Sequence, residues 1–344
     1  MRAERTARMI DARHLRLTKE QLAAMLAEKK NTVILLHARP DGDAVGSAFA
    51  LRLMLQEMGM RAYCLCADEI PARLRFLIEG VQQSLLPESL PTDFSVERVV
   101  SVDVASPAQL GALGEHWLHR VDVMIDHHAT GELFAPALVE PDASATGELI
   151  FELGQLWLEQ GKRTGGDARI NELTFASIAS DTGGFRYSNV TARTHRIAAE
   201  LVESGVNTSG INHALFESKP YELMLCEQLG FSAMRRFEEG RISLIPLSYE
   251  VKQQYGLLNE HMETLSDVAR SVEGTQVAIA IRQPTEQGSF RVSVRSNGAF
   301  SAAALCAALG GGGHEKAAGC TVQAPDMEAA IELILRTIRE KNLL

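Results

Sequence analysis

With 344 residues, 46% of them hydrophobic and 23% charged, the chain has the balance of a globular protein and room for two domains. No apolar run is long enough for a membrane-spanning helix, and the charged N-terminus lacks a secretory apolar segment, so a cytoplasmic protein with no membrane association is expected. The formal net charge of −10 argues against tracking of long duplex DNA, an affinity that comes largely from neutralised phosphates, and any nucleic-acid substrate is expected to be short.

Thr32–His37 (TVILLH) reads as a short buried strand. The stretch His37-Ala-Arg-Pro-Asp41-Gly-Asp43-Ala-Val-Gly46-Ser47 follows, and Pro40 and Gly42 favour an irregular turn there. Such a loop can aim His37, Asp41 and Asp43 into one pocket, although either aspartate alone would ordinarily be a turn former or a helix N-cap. Helical spacing over Ala44–Met58 ends at Gly59 as a C-cap; Gly46 is expected to let this helix approach the sheet, and Leu51–Met58 reads as core. Arg61–Cys66 reads as a strand with Cys64 and Cys66 on one face. No second pair completes a zinc spacing, so Cys64, Cys66, Cys226, Cys306 and Cys320 read as small apolar side chains in a reduced compartment.

Val99–Val104 is a strand-like run carrying Asp103, and Val121–His127 is another, ending in Asp126-His127 with His128 next. Strand alternation would send the two imidazoles to opposite sides, one to a metal and the other to substrate. The helical run Asn171–Ala179 leads into Ser180-Asp181-Thr182-Gly183-Gly184, where Asp181 leaves the helix at a glycine break. From Thr191 to Glu238 the pattern is mostly helical, then strands return at Arg241–Ser248, Val277–Gln283 and Phe290–Ser296, with a last helix over Asp326–Lys341 capped by Asp326. The expected fold class is α/β: an N-terminal doubly wound, mainly parallel sheet over 17–215, a helical connector over 216–240, and a smaller C-terminal α/β domain over 241–344.

Each of these fragments has an ordinary structural explanation by itself. Together they set two histidines and four aspartates at successive segment ends, where open α/β sheets bind ligands. Oxygen-rich sites with a few imidazoles suit Mn²⁺ or Mg²⁺, and also Fe²⁺ or Co²⁺. Two divalent ions would cancel the charge of four aspartates, which without metal would repel one another and raise their carboxyl pKa values.

HARPDGDAVGS, VDVAS, IDHH and SDTGGF, in that order, resemble the four motifs of the DHH phosphoesterase family. Gly310-Gly-Gly-Gly-His314-Glu-Lys-Ala-Ala-Gly319 resembles the signature of its DHHA1 domain. The resemblance runs from Asn31 onward, and the size looks most like the branch of oligoribonucleases that also act as PAP phosphatases. It implies two cations, Mn²⁺ first among them. One would be held by His37, Asp41 and Asp103, the other by Asp43, Asp103, His127 and Asp181, with Asp103 bridging. Asp126 would orient an imidazole, and His128 would lie near the scissile phosphate as a catalytic group. Arg295, Ser296, Gly311, Gly312, Gly313 and His314 would bind substrate, with the second domain closing over the metals. Ser180 departs mildly from the threonine usual in this branch.

The implied activity is Mn²⁺-dependent, exonuclease-like hydrolysis of short oligonucleotides, dephosphorylation of 3′-phosphoadenosine 5′-phosphate, or both, by metal-activated water. Alternatives are hydrolysis of cyclic or linear dinucleotides and, outside the hydrolases, a nucleotide-binding sensor. The oligomeric state is open, a homodimer included. His14, His116, His119, His195, His213 and His261 read as surface or packing residues, and Arg186 and Tyr187 are left outside the site.

Overall fold

A computed structural model describes residues 16–344 apart from Gln83 and Gln287, so His14 lies outside the described residues. The chain packs into two units, the first ending at Ser218 and the second running from Lys219 to Leu344.

The first unit opens with α1 (Lys19–Leu26), β1 (Thr32–Leu35), α2 (Gly42–Glu57) and β2 (Ala62–Leu65). It continues through β3 (Arg98–Val102), the single turn α3 (Gly114–Trp117), β4 (Val123–Asp126) and β5 (Ala137–Val139). The helices α4 (Thr146–Glu159), α5 (Ala168–Asp181), α6 (Ala192–Glu203) and α7 (Thr208–Asn212) complete it. The sheet is parallel throughout, in the order β2-β1-β3-β4-β5. Its strands are short continuous apolar runs because both faces are covered. Ile34, Val100, Val102 and Ile125 pack under α1, α2, α4 and α5, whereas Val33, Leu35 and Val99 pack under Leu110, Leu113 and Trp117 of short turns. In this order the chain reverses direction across the sheet between β1 and β3, and the crevice beyond their C-terminal ends is where such sheets take ligands.

Helix α2 begins at Gly42, ahead of the expected Ala44, because the Asp41 carboxylate accepts the N–H groups of Asp43 and Ala44 at 3.0 Å each and caps it. The helix is buried along nearly its whole length. Gly46 serves a different neighbour from the one expected: it faces α5 rather than the sheet. A Cβ there would stand 2.5 Å from the Leu173 carbonyl oxygen and 2.7 Å from Ser177 Cβ.

The second unit contains α8 (Tyr221–Ala233), β6 (Arg235–Phe237), β7 (Ile242–Leu247), α9 (Tyr249–Gln254) and α10 (Leu265–Arg270). There follow β8 (Val277–Arg282), β9 (Ser289–Ser296), α11 (Ala302–Ala308), β10 (Gly312–His314), β11 (Ala317–Gln323) and α12 (Met327–Glu340). Its sheet runs β10-β11-β9-β8-β7-β6, with β7–β8 parallel and the other pairings antiparallel. Along β9, Phe290, Val292 and Val294 enter a core shared with α11 and α12, so Arg291, Ser293 and Arg295 face the other way. The stretch 216–240 is not purely helical: β6 pairs with β7, and Gly230 lets α8 lie against Leu265 and Ile245. Among the described residues no helix is long and apolar enough to cross a membrane.

Replacing Gly46 with alanine would raise stability by about 1 kcal/mol on helix propensity alone. The contact with α5 reverses the sign, and Gly46→Ala is expected to destabilise the protein by roughly 1–3 kcal/mol in denaturant melts. A rise in stability would show that α2 and α5 do not pack this closely.

Candidate metal centre

His37 lies just beyond β1. Its Nδ1 bonds to the Ala38 carbonyl at 2.8 Å, leaving Nε2 at 3.7 Å from Asp41 Oδ1 and 3.8 Å from Asp103 Oδ2. His127, just beyond β4, repeats the arrangement. Its Nδ1 bonds to the Ala143 carbonyl at 3.1 Å, and Nε2 stands 3.2 Å from Asp181 Oδ2 and 3.7 Å from Asp43 Oδ2. With Nδ1–H donated to a backbone carbonyl, both rings turn Nε2 toward the carboxylates, where it either carries a proton that the carboxylates accept or presents its lone pair to a cation set among them.

Asp43 is fully buried in the first turn of α2. Its Oδ2 accepts the Thr146 N–H at 2.7 Å, and its Oδ1 accepts the Gly147 N–H at 3.1 Å and the Ser177 hydroxyl. Asp103 follows β3 directly with a φ of 59°, a left-handed conformation that holds about 1 kcal/mol or more of strain in a non-glycine residue. Its N–H is held by the Ile125 carbonyl at 2.9 Å. Oδ1 accepts the Thr146 hydroxyl at 3.0 Å and lies 3.8 Å from His127 Nε2, while Oδ2 faces His37.

The donor atoms fall into clusters whose members lie within 4.8 Å of one another: His37, Asp41 and Asp103; Asp43, His127 and Asp181; and Asp103, His127 and His128. The six residues singled out as candidate ligands are thus gathered in one place, with the two oxygens of Asp103 turned toward different triads. His128 does not take the opposite side expected from strand alternation. β4 ends at Asp126, and the two imidazole rings lie side by side with centroids 4.7 Å apart. Asp126 points at His128 rather than into the triads, its Oδ1 lying 2.7 Å from His128 Nδ1 and accepting the His127 N–H at 2.9 Å.

Among the described residues, no lysine or arginine pairs with Asp41, Asp43, Asp103 or Asp181; their ionic neighbours are histidines. Burial, reinforced by the charge of Asp181, pushes the Asp43 carboxyl up to about 7, and burial with the charge of Asp43 also holds Asp103 well above the carboxylate range. Burial alone would lower His127, but its hydrogen bond to Asp181 and the charge of Asp43 outweigh this and push it to about 9. His37 is raised too, against its burial, by Asp41. Protons therefore gather where carboxylates and imidazole lone pairs converge, and the same hard oxygens and borderline nitrogens fit divalent cations. Asp126 raises His128 through their hydrogen bond.

Thr146, Gly147 and Ser177 escaped the reading of the sequence. Their signal, an A-T-G-E helix start and a serine inside α5, is ordinary until the fold sets both against Asp43.

In the second unit the strand register aligns Arg295 with Ala317 and Ala317 with His314, and aligns Ser293 with Gly319 and Gly319 with Gly312. Arg295, Gly312 and His314 thus share one sheet face, floored by small residues. Ser296 lies on the opposite face, 5% exposed, and its hydroxyl donates to the Phe300 carbonyl at 2.6 Å. The glycine run is also divided. The N–H groups of Gly310 and Gly311 close the end of α11 on Ala307 and Cys306, Gly311 packs against Gly319 and Cys320, and Gly312–His314 form β10. Arg282 and Arg291 lie on the same face as Arg295, and the alternation in SFRVSVRS marks Arg291; among the described residues none of the three arginines has a carboxylate partner. All five cysteines are free and buried.

The sequence model of the DHH family, N-terminal domain, matches residues 31–178, and that of the DHHA1 domain matches 248–340. A bifunctional oligoribonuclease and PAP phosphatase, NrnA, of Thermus thermophilus is 32% identical over 90% of this chain and 89% of its own length. The protein of the same name from Bacillus subtilis is 26% identical over 91% of this chain and 96% of its own. The crystal structure of an exopolyphosphatase-related protein from Bacteroides fragilis has the same fold, with a TM-score of 0.82 over 97% of this chain and 99% of its own at 22% identity.

The raised carboxyl and imidazole pKa values fix a sign for the pH dependence. The unfolded chain releases the Asp43 proton near 3.8 and the His127 proton near 6.5, while the folded protein keeps them to about 7 and about 9. The stabilising contribution of these groups is therefore full at low pH and is lost as pH rises through this window. In chelator-treated protein the melting temperature is expected to fall between pH 6 and pH 9, and added divalent cation is expected to restore most at the alkaline end. A melting temperature level across the window, and indifferent to cation, would contradict the arrangement.

Proposed function

The chain belongs to the DHH family, and from that membership we propose that it is a divalent-cation-dependent phosphoesterase acting on short oligonucleotides and on 3′-phosphoadenosine 5′-phosphate. The observation that carries this reading is Asp103, one oxygen turned to His37 and Asp41 and the other to His127 beside Asp43 and Asp181. In the proposed assignment His37, Asp41 and Asp103 hold one cation, and Asp43, Asp103, His127 and Asp181 hold a second, with Mn²⁺ as the first choice of metal. Bound there, two such ions would neutralise the carboxylates, draw in phosphate oxygens and acidify a water for attack on phosphorus.

The chain's own groups supply orientation and a proton. The carbonyls of Ala38 and Ala143 keep the two imidazoles in the tautomer that presents Nε2. Asp126 holds His128 through Nδ1 and favours its protonated form, which leaves Nε2 to donate to a phosphate or departing ester oxygen. His128 is 39% exposed in its side chain, against 13% for His127, as suits a group that meets substrate rather than one enclosed by carboxylates. On the second unit Arg295, with Arg282 and Arg291 on the same sheet face, would bind phosphate groups, and His314 and Gly312 share that face. Several guanidiniums without a carboxylate partner among the described residues suit a substrate with more than one phosphate.

The direct test presents a short RNA, a linear dinucleotide, a cyclic dinucleotide and 3′-phosphoadenosine 5′-phosphate side by side, with Mn²⁺ and with chelator. Release of terminal nucleotides and dephosphorylation of the adenosine bisphosphate, both abolished by chelator, are the expected result. Turnover of the cyclic substrate alone, or of none, would overturn the reading. Asp103→Ala is expected to abolish turnover in a protein that still folds. Arg295→Ala is expected to raise KM by about 10- to 100-fold with kcat less affected, the loss of a charge-assisted hydrogen bond of ~1.5–3 kcal/mol.

A further inference from the structure

Residues 143–147 supply none of the candidate ligands, yet this segment touches three of them. The Ala143 carbonyl accepts from His127 Nδ1 at 3.1 Å, and the N–H groups of Thr146 and Gly147 donate to Asp43 at 2.7 and 3.1 Å. The Thr146 hydroxyl donates to Asp103 Oδ1 at 3.0 Å. The segment is itself held from two sides. Within the fold, the Ser144 hydroxyl donates to Glu148 at 2.5 Å and shares a hydrogen bond with Thr194 at 3.0 Å, while the wholly buried Glu148 faces Arg193 at 3.3 Å. Toward the surface, the Asn189 side-chain amide donates both to the Ser144 carbonyl at 3.0 Å and to the Asp181 carbonyl at 3.1 Å. One amide thus ties the segment to the backbone of the remaining carboxylate of that triad.

His37 and Asp41 are secured without this segment, His37 on the Ala38 carbonyl and Asp41 on the start of α2. We infer that residues 143–147, latched by Asn189, set the geometry of the Asp43–His127–Asp181 triad, and that Thr146 and Asn189 are positioning residues for cation binding there. The inference rests on the two-cation reading and deepens it. Free carboxylates can rotate among many orientations, whereas a cation needs oxygens and an imidazole nitrogen held at fixed separation. Hydrogen-bond partners behind metal ligands typically contribute about 10- to 100-fold in affinity by holding them so.

Two substitutions separate positioning from folding. Asn189 is exposed, so Asn189→Ala removes the latch without opening a core. Thr146→Val keeps the shape and the N–H to Asp43 but removes the hydroxyl from Asp103. Chelator-treated wild type and variants are titrated with Mn²⁺, following free Mn²⁺ by electron paramagnetic resonance, and melted without cation. Wild type is expected to show two binding steps. Each variant is expected to lose about 10- to 100-fold in one step and keep the other, with Asn189→Ala melting as wild type does and Thr146→Ser restoring both steps. Two unchanged steps in both variants, or equal weakening of both steps, would overturn the inference with the two-cation reading intact. A wild type with fewer than two steps would sink that reading and the inference together.

Discussion

Four aspartates drawn into one small volume, with no lysine or arginine partner among the described residues, create a demand for positive charge. The fold goes part of the way. Asp41 and Asp43 sit at the start of α2, and Asp43 also accepts the first N–H groups of α4, so two helix N-termini bear on the cluster. Each helix start supplies the equivalent of roughly half a positive charge, well short of four carboxylates. Protonation is a further internal remedy, with Asp103 raised by burial and its carboxylate neighbours, and for Asp43 and His127 it weakens in the neutral to alkaline range. Divalent cations answer the same demand without that dependence on protons.

The sheet explains why these residues meet. In a parallel sheet ordered 2-1-3-4-5, the loops leaving β1 and β3 open on the same crevice, and β4 ends beside β3. His37 and Asp41 come from the first loop, Asp103 from the second, and His127 from the third. Asp181 comes from the end of α5, which Gly46 brings against α2 at near-backbone contact. The left-handed backbone of Asp103 belongs to the same geometry, since it is the residue at which β3 stops and the crevice begins. Strain at that position is consistent with a carboxylate required to face two ways at once.

Much of this is legible in the amino-acid sequence alone. Short apolar runs ending in His37, Asp103 and Asp126-His127 mark parallel strands and their C-terminal ends together, and the cluster follows from topology once those ends are known. The illegible parts are tertiary. Thr146 and Ser177 carry no local signal, because their partner Asp43 is distant in sequence. Ser296 follows Arg295 in sequence, yet strand alternation puts the two on opposite faces. The strand β11, AAGCTVQ, is poor in β-branched residues and reads weakly as a strand, so its small residues give no hint of a floor beneath Arg295 and His314. The helical pattern of 216–240 is right for α8 but not for β6, whose identity depends on pairing with β7.

The central claim is that Asp103 joins two cation sites. Crystals grown with Mn²⁺ and measured for anomalous scattering test it without recourse to activity. The account predicts two peaks ~3.5–4 Å apart, each in contact with a different oxygen of Asp103. A single peak, or two peaks that leave Asp103 uncoordinated, would contradict it.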